Sequence, residues 1–233
     1  MFMVETFKKF IVAIHPAGRP FIAMFFSITL VGGFLWAPIY FVGGVLTAWC
    51  IYFFRDPIRI TPIREGLIVS PADGVIQMIT LAIPPPELDM PVEQLTRLSI
   101  FMNVFDVHVN RAPVDGFVSR LGYRPGKFIN ASLDKSSNEN ERQSVKIRTH
   151  DGTEIALVQI AGLVARRIVC WIKVDRPVGV GERIGMIRFG SRVDIYLPND
   201  VAPLVVSGQR VIGGETILAD MQSNEKARKG SAR

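Results

Sequence analysis

The sequence predicts a mainly β fold, in which a domain of sandwich or barrel type follows an N-terminal helical membrane hairpin. Two observations support this class. From about Leu67 onward, short runs of β-branched and apolar residues alternate with turn residues, which is typical of strands in a sandwich or barrel. Before them, the stretch from Pro20 to Phe54 contains no Asp, Glu, Lys, Arg or His, which indicates a segment inside a bilayer.

The charge-free stretch is too long for a single straight membrane helix. As one helix it would extend about 50 Å, whereas the hydrocarbon core of a bilayer is about 30 Å thick. Pro38 lies near its middle, with glycine pairs on both sides, and predicts a break into two pieces of about 21–37 and 39–54. Each piece is a little short for a full crossing, so the sequence predicts a tight or re-entrant hairpin.

Basic residues flank the hairpin on both sides. They are Lys8, Lys9 and Arg19 before it, and Arg55, Arg59 and Arg64 after it. Because Lys and Arg next to membrane segments stay on the cytoplasmic side, both ends are expected at the cytoplasmic face of the cell membrane. Residues 1–16 place apolar side chains at helical spacing beside two lysines, which predicts an amphipathic helix at the membrane surface.

The predicted organisation has three parts. Residues 1–54 form the amphipathic helix and the membrane hairpin, residues 55–220 form the β-rich domain, and residues 221–233 form a disordered tail. Within the β-rich domain, "HDGT" at 150–153 predicts a β-hairpin. The best candidate for a helix there is "PVEQLTRL" at 91–98, after a proline-rich loop.

Two segments of the domain resemble each other. "PVGVGERIGMIRFG" at 177–190 and "PLVVSGQRVIGGETILAD" at 203–220 share a rhythm of valine, glycine, polar and aliphatic positions. Matching hairpins of this kind are similar to those of lipoyl and biotinyl carrier domains. Those carriers present a modified lysine at a hairpin tip, and neither tip here contains Lys. The likeness therefore predicts the fold and not the carrier function.

Charge and cysteine content exclude several classes of partner. The formal net charge is +6 and the pI is about 9.6, but no basic stripe is interleaved with aromatic residues as in nucleic-acid-binding modules. Basic residues beside an apolar segment instead suit an anionic membrane surface. Cys50 and Cys170 lack the spacing of a disulfide framework or a metal site. We therefore expect no nucleic acid, no metal and a reducing compartment.

Candidate reactive residues are few. Of the three histidines, His108 is the one that lies away from both the membrane end and the predicted hairpin tip. Asp73 lies in the turn "SPADG", where a carboxylate ordinarily bonds its own backbone. Ser191 follows Gly190 at a break between two apolar runs. Together the three could form a Ser/His/Asp arrangement, although the hydrolase pattern G-x-S-x-G is absent around Ser191.

The same residues lie in motifs that resemble the phosphatidylserine decarboxylase proenzymes, in particular the short bacterial form. The motifs are "FFRDPIR", "SPADG", "FDVHVNRAPVDG", "DKSSNENERQS", "IAGLVARRI", "RFGSRVDIYLP" and "GQRVIGGETILA". They occur in the expected order and cover most of residues 53–219.

The resemblance implies that the chain cuts itself between Gly190 and Ser191. The products would be a β subunit, 1–190, and an α subunit, 191–233, whose first residue becomes a pyruvoyl group. No metal and no pyridoxal phosphate are implied. The pyruvoyl carbonyl forms a Schiff base with the amine of phosphatidylserine, and loss of CO2 gives phosphatidylethanolamine. His108 and Asp73 are expected to assist proton removal.

Four further polar residues of these motifs are expected to bind the substrate. They are Arg111, Arg166, Asn140 and Glu141. The longer bacterial enzymes carry a second histidine three residues after the first, where this chain has Arg111. Whether His108 serves self-cleavage, decarboxylation or both therefore stays open.

Two other functions stay open at this point. One is a non-catalytic, membrane-anchored β-sandwich adaptor, and the other is a membrane-bound serine hydrolase that uses Ser191 without cutting the chain. The partners expected are phosphatidylserine in an anionic membrane and the two subunits of one proenzyme. A homo-oligomer is compatible with the sequence.

Overall fold

The structure is a computed structural model that describes residues 12–132, 136–162, 167–188 and 190–231. The chain divides into two compact units, Met1–Ile58 and Arg59–Arg233. The first unit is helical and the second is built mainly of strands. The predicted mainly β class with an apolar helical N-terminal segment is therefore confirmed.

The first unit contains two apolar helices, α1 (Arg19–Leu35) and α2 (Pro38–Phe53). The break between them falls where Pro38 predicts it, and Pro38 occupies the first turn of α2, where a proline costs no hydrogen bond. The helices pack side by side through glycines: a Cβ at Gly33 would lie 2.5 Å from the Tyr40 ring, and one at Gly43 would lie 2.1 Å from Thr29 Oγ1. These contacts define an antiparallel helical hairpin.

The outer surface of this hairpin is apolar. Phe34, Leu35 and Phe41 are 90%, 86% and 77% exposed, and the stretch Pro16–Leu35 is long and apolar enough to cross a membrane by length and composition. The helix α2 is shorter. Most of the predicted amphipathic helix, residues 1–16, lies outside the described residues.

The second unit is formed by short strands. They are β1 (Leu67–Val69), β2 (Gly74–Ala82), β3 (Leu95–Met102), β4 (Val109–Arg111), β5 (Gly116–Arg124), β6 (Arg142–Arg148), β7 (Glu154–Ala161), β8 (Ile168–Cys170), β9 (Pro177–Val178), β10 (Arg183–Ile187), β11 (Ser191–Tyr196), β12 (Arg210–Val211) and β13 (Ile217–Asp220). A short helix, α3 (Ser136–Glu139), and a single 3-10 turn (Pro86–Leu88) lie between strands.

Eight strands form one curled antiparallel sheet in the order β12-β2-β3-β11-β7-β6-β5-β9. Strand β11 therefore lies in the middle, paired with β3 on one side and β7 on the other. Two smaller sheets, β4-β10-β8 and β1-β13, complete the unit. Alternate residues of the large sheet, including Ile100, Ile147, Leu157 and Val193, fill one apolar core, as the twofold period of a strand requires.

The second unit has an approximate internal repeat. The turn "SPADG" (70–74) leads into β2, and the turn "APVDG" (112–116) leads into β5. The two turns bond reciprocally, since Arg111 N–H donates to the Pro71 carbonyl (2.8 Å) and Val69 N–H donates to the Pro113 carbonyl (2.9 Å). Strands β12 and β9 then border β2 and β5 at the two edges of the large sheet. The repeat seen at 177–190 and 203–220 therefore belongs to a wider duplication.

Two local predictions have opposite outcomes. The hairpin at "HDGT" is confirmed, because it joins β6 to β7 and Gly152 takes a left-handed φ of +91° there. The helix at "PVEQLTRL" is wrong, because Leu95 to Leu98 belong to β3. That strand bonds β2 and β11 along its length, so pairing on both sides outweighs the weak helical preference of the segment.

Candidate active site

The Gly190-Ser191 step lies where the chain passes from one sheet to another. Strand β10, in the three-stranded sheet, ends at Ile187, and β11, in the large sheet, begins at Ser191. Gly190 has a φ of +71°, a left-handed conformation that a residue with a Cβ adopts only at a cost. The glycine at this step is thus explained by a sharp change of chain direction.

The Ser191 hydroxyl points into the core of the large sheet. Ser191 pairs with Met102 on β3 and Ala161 on β7, and it is fully buried. Its Oγ has no hydrogen-bond partner among the described residues. Buried polar groups are rarely left unpaired in folded proteins, so an unsatisfied hydroxyl next to a left-handed glycine is a candidate reactive group.

His108 lies against the same peptide step. Its ring is fully buried, and Nε2 accepts a hydrogen bond from Gly190 N–H at 3.2 Å. On the other side of the ring, Nδ1 lies 3.0 Å from the Asp106 carbonyl oxygen, which can only accept, so this geometry assigns the proton to Nδ1. The Nε2 lone pair is therefore directed at the Gly190 amide of the Gly190-Ser191 step. A role of His108 as the general base for Ser191 stays a prediction.

The Gly190 carbonyl packs against a second glycine. A Cβ at Gly162 would lie only 2.3 Å from the Gly190 oxygen, so this position has room for glycine alone without a backbone shift. Gly162 follows β7 directly, and the motif "IAGLVARRI" contains it. The sequence analysis assigned it no role, although a glycine inside an apolar run indicates a close backbone approach.

Asp73 bonds groups other than His108. Its carboxylate pairs with Arg59 at 2.6 Å and accepts a hydrogen bond from Gly213 N–H at 2.8 Å. Burial raises the pKa of Asp73, and the nearby Asp106 carboxylate adds to this. Arg59 and the Gly213 amide oppose the shift without cancelling it. Asp73 is therefore linked electrostatically to Asp106, whose carbonyl orients His108. Its catalytic role stays a prediction.

The Asp106 side chain has its own partners. Its carboxylate is fully buried, pairs with Arg210 and accepts a hydrogen bond from Asn103 N–H at 2.9 Å. The turn that carries His108 is thereby fixed to the first residue of β12. Both Arg59 and Asp106 lie within the family motifs, but the sequence marks Arg59 only as a basic residue beside the membrane hairpin and gives Asp106 no role.

The predicted substrate-binding residues occupy different places. Asn140 is buried, and its side-chain amide bonds the carbonyls of Ile129 (2.8 Å) and Ala161 (2.7 Å) and the Ile129 N–H (3.0 Å). Glu141 continues this backbone bonding, because Ala161 N–H donates to its carbonyl at 2.9 Å. Both residues therefore hold the end of β7, next to Gly162. Their role in substrate binding stays a prediction.

Arg111 and Arg166 complete the predicted set. Arg111 is buried on β4, and its Nη1 donates to the Gly181 carbonyl at 2.8 Å. Its aliphatic stem packs on Gly214, where a Cβ would lie 2.9 Å from Arg111 Cδ. Arg166 lies outside the described residues.

A buried ion network covers the opposite face of β11. Arg192 and Asp194 are fully buried and bond each other at 2.7 and 2.8 Å. Ser137 bonds both, and Arg97 lies 3.9 Å from the Asp194 carboxylate. Because charges are buried only where they are paired, this network fixes the strand that begins at Ser191. It also explains why the polar run "DKSSNENERQS" includes buried residues.

Comparisons with known proteins identify the family of the chain. The family model described as phosphatidylserine decarboxylase matches residues 46–219. A relative from Cereibacter sphaeroides, named phosphatidylserine decarboxylase proenzyme, is 57% identical over 230 residues and covers 99% of each chain. One of the same name from Paramagnetospirillum magneticum is 56% identical over 220 residues, which is 94% of this chain and 92% of the relative.

These matches confirm the resemblance seen in the motifs, and they favour an enzyme over the adaptor and the hydrolase. They include every described residue that surrounds the Gly190-Ser191 step. The chain therefore belongs to the phosphatidylserine decarboxylase family.

Proposed function

We propose that this protein is a self-processing decarboxylase that converts phosphatidylserine to phosphatidylethanolamine and CO2, with a pyruvoyl group formed from Ser191. The family supports the reaction. The observation that carries the self-processing is the geometry of one peptide step. A buried Ser191 hydroxyl, without a hydrogen-bond partner in the part of the chain that the structure describes, follows a left-handed Gly190, and Nε2 of His108 lies 3.2 Å from Gly190 N.

We propose the following course of self-cleavage. His108 Nε2 accepts the Ser191 hydroxyl proton as Oγ attacks the Gly190 carbonyl carbon, and the C–N bond gives way to a C–O ester bond. Removal of the Ser191 α-proton then breaks the Cβ–Oγ bond. This frees the Gly190 carboxylate and leaves dehydroalanine at the new N-terminus. One water molecule enters and one ammonia leaves, which gives the pyruvoyl group.

The same residues suit the second reaction. The pyruvoyl group at position 191 would supply a carbonyl that can bind the substrate amine and an electron sink for the loss of CO2. We propose that His108 returns a proton to the substrate carbon. Burial of the site excludes water, which strengthens each electrostatic interaction there. We propose no metal and no pyridoxal phosphate for this chemistry.

The fold indicates that the two products of cleavage stay together. The segment 191–233 contains β11, β12 and β13, which pair with β3, β7, β2 and β1 of the other segment. Cutting before Ser191 breaks one peptide bond and leaves these ladders intact. We therefore propose a stable complex of a β subunit, 1–190, and an α subunit, 191–233. Assembly of further copies stays a prediction.

We also propose that residues 1–54 anchor the enzyme at the cytoplasmic face of the cell membrane, ahead of the decarboxylase domain, 55–220, and the tail, 221–233. The apolar exposed surface of α1 and α2 supports insertion. The flanking basic residues support the cytoplasmic side. The anionic substrate suits a protein of net charge +6.

The test is the intact mass of the purified chain under denaturing conditions. We expect two species, 1–190 and 191–233, the smaller one lighter than the unmodified fragment by one ammonia molecule. The variant Ser191→Ala should remain a single inactive chain. A matched control is Ser99→Ala on the neighbouring strand β3, because Ser99 Oγ is also buried without a partner among the described residues but lies opposite Asp194. A Ser191→Ala chain that is cut and active would refute the proposal.

A further inference from the structure

Two neutral amide side chains lie on the inner side of the sheet beside Ser191. Asn110, on β4, and Gln159, on β7, are both fully buried. Gln159 Nε2 donates to Asn110 Oδ1 at 2.7 Å, and Asn110 Nδ2 lies 3.5 Å from the Met102 sulfur. Core positions of this kind are ordinarily apolar, so a buried pair of amides needs an explanation.

Strand register places this pair next to the reaction centre. Gln159 is opposite Val193 on β11, which makes it the diagonal neighbour of Ser191 on the same face, at about 7–8 Å between Cα atoms. Met102, which contacts Asn110, is directly opposite Ser191 on the other side. Asn110 also follows His108 by two residues, on the strand β4 that begins directly after His108.

The hydrogen-bonding capacity of the pair is not used up. Gln159 Oε1 is buried and has no partner among the described residues. An amide nitrogen carries two donor hydrogens, and the thioether sulfur that faces Asn110 Nδ2 is a weak acceptor. Gly185 makes room for the Gln159 amide, because a Cβ there would lie 3.0 Å from Nε2. The amide pair is thus packed into the core beside Ser191 and retains hydrogen-bonding groups that have no partner among the described residues.

We propose that Asn110 and Gln159 form the subsite that binds the α-amino-acid part of the lipid headgroup and distinguishes phosphatidylserine from its decarboxylated product. The inference rests on the proposed function, because Ser191 is taken as the position where the substrate amine reacts. The open Gln159 oxygen is suited to accept from the substrate nitrogen. The amide N–H groups are suited to donate to the α-carboxylate, which phosphatidylethanolamine lacks.

Neutral donors suit a carboxylate that has to leave. An arginine in this place would hold the carboxylate by a bidentate ion pair and would stabilise the ground state more than the transition state, in which that charge is dispersing. Amides fix the orientation with weaker hydrogen bonds. Loss of the carboxylate removes the partner of these donors, which favours release of the product.

The experiment compares trapping of two lipids by the processed enzyme. The purified protein is incubated with mixed micelles of phosphatidylserine or phosphatidylethanolamine and cyanoborohydride, and the lipid adduct on fragment 191–233 is measured by mass. In Gln159→Met the ratio of phosphatidylserine to phosphatidylethanolamine adduct should fall about tenfold or more, the usual scale for losing a hydrogen bond to a charged group. Trapping of phosphatidylethanolamine should fall less, because that lipid loses only the contact to its amine and has no α-carboxylate to lose.

Two further variants keep the test decisive. Gln159→Glu preserves the shape and adds a negative charge, so its ratio should fall at least as far as that of Gln159→Met. The matched control is Gln143→Met, because Gln143 faces Gln159 across the β6–β7 pair, and its Nε2 bonds the Gly122 and Ser144 carbonyls. Its ratio should equal that of the wild type.

The outcomes separate the inference from the function on which it rests. A cleaved, pyruvoyl-bearing enzyme whose ratio is unchanged in Gln159→Met and Gln159→Glu overturns the subsite and leaves the decarboxylase intact. Lower thermal stability with an unchanged ratio has the same meaning, because it assigns the amides to packing alone. An uncut wild-type chain overturns the proposed function itself, and the subsite with it.

Discussion

The two Pro-x-Asp-Gly turns of the second unit are built alike but surrounded differently. In both, the aspartate accepts a backbone N–H at 2.8 Å, from Gly213 to Asp73 and from Val180 to Asp115. In both, the following glycine lets a neighbouring carbonyl approach closely: a Cβ would lie 2.2 Å from the Phe101 oxygen at Gly74 and 2.4 Å from the Arg148 oxygen at Gly116. The shared features therefore belong to the fold.

The difference between the turns lies in the charges around Asp73. Arg59 pairs with it, and the Asp106 carboxylate contributes to its raised pKa. Asp106 also holds His108 through its carbonyl. A duplicated turn thus carries an aspartate that accepts a backbone N–H in both halves, and at Asp73 this carboxylate also lies near the charges of Arg59 and Asp106. Asp115 is therefore an internal control for every test of Asp73.

The largest expected difference is in self-cleavage. Asp73→Asn keeps an oxygen for the Gly213 amide but removes the charge, and should slow cleavage about 100-fold, within the range of acid–base groups. Asp115→Asn should leave the rate within about twofold, as for an ordinary substitution away from a site. The measurement is the fraction of cut chain against time after refolding. Equal rates for the two variants would make Asp73 purely structural.

A smaller effect concerns the pH dependence of cleavage. The positive charge of Arg59 lowers the pKa of Asp73 against the dominant effect of burial. Arg59→Met should therefore raise that pKa further, so that cleavage is lost at a higher pH on acidification if ionised Asp73 is required. Arg64→Met is the matched control, because Arg64 lies in the same segment and pairs with Asp220. An unshifted profile in Arg59→Met would show that ionised Asp73 is not required.

The protonation of Asp73 affects stability in the opposite direction from that of a carboxylate in an ordinary salt bridge, whose pKa is lowered on folding. Because the folded-state pKa of Asp73 is raised above 3.8, the folded chain binds more protons than the unfolded chain between the two values. Ionisation of Asp73 therefore lowers the free energy of unfolding as the pH rises through the folded-state pKa. Arg59→Met should extend this loss to higher pH.

The smallest expected effect is on the free energy of unfolding, and it should be shared by the two turns. Asp73→Ala and Asp115→Ala each remove an acceptor of a backbone N–H and should lower the free energy of unfolding by about 1–3 kcal/mol. Urea denaturation of the uncut Ser191→Ala chain measures this without a mixture of subunits. A destabilisation confined to Asp73→Ala would contradict the equivalence of the two turns.

Much of this site could be predicted from motifs, and the reasons for the rest are geometric. Gly190, Ser191 and His108 come together as the sequence suggests, because the turn before β4 and the start of β11 meet where β10 ends. The Ser/His/Asp arrangement would bring Asp73 into contact with His108, but the Asp73 carboxylate bonds Arg59 and the Gly213 amide instead. A sequence motif alone does not reveal these partners. Arg59 and Asp106 carry no distinguishing signal in the sequence. Only the fold shows that Arg59 pairs with Asp73 and that the Asp106 carbonyl contacts His108.

The two buried amides could not be recognised as a pair from a single sequence. Gln159 lies among apolar neighbours and reads as one polar residue in a strand. Its meaning depends on Asn110, which is 49 positions away along the chain. For a related reason the sequence predicts a helix over part of β3, since the strands that pair with β3 include β11, which is remote in sequence.

The sequence by itself determined the class of the fold, the helical break at Pro38, the family and the chemically unusual Gly190-Ser191 step. These depend on local composition, on residue-specific backbone freedom and on motifs that are contiguous along the chain. Only the tertiary structure decided which side of His108 faces Gly190, what surrounds Asp73, and that Ser191 begins a central strand beside two buried amides. Those features depend on long-range strand register, which sets the contacts of each side chain and which no local pattern encodes.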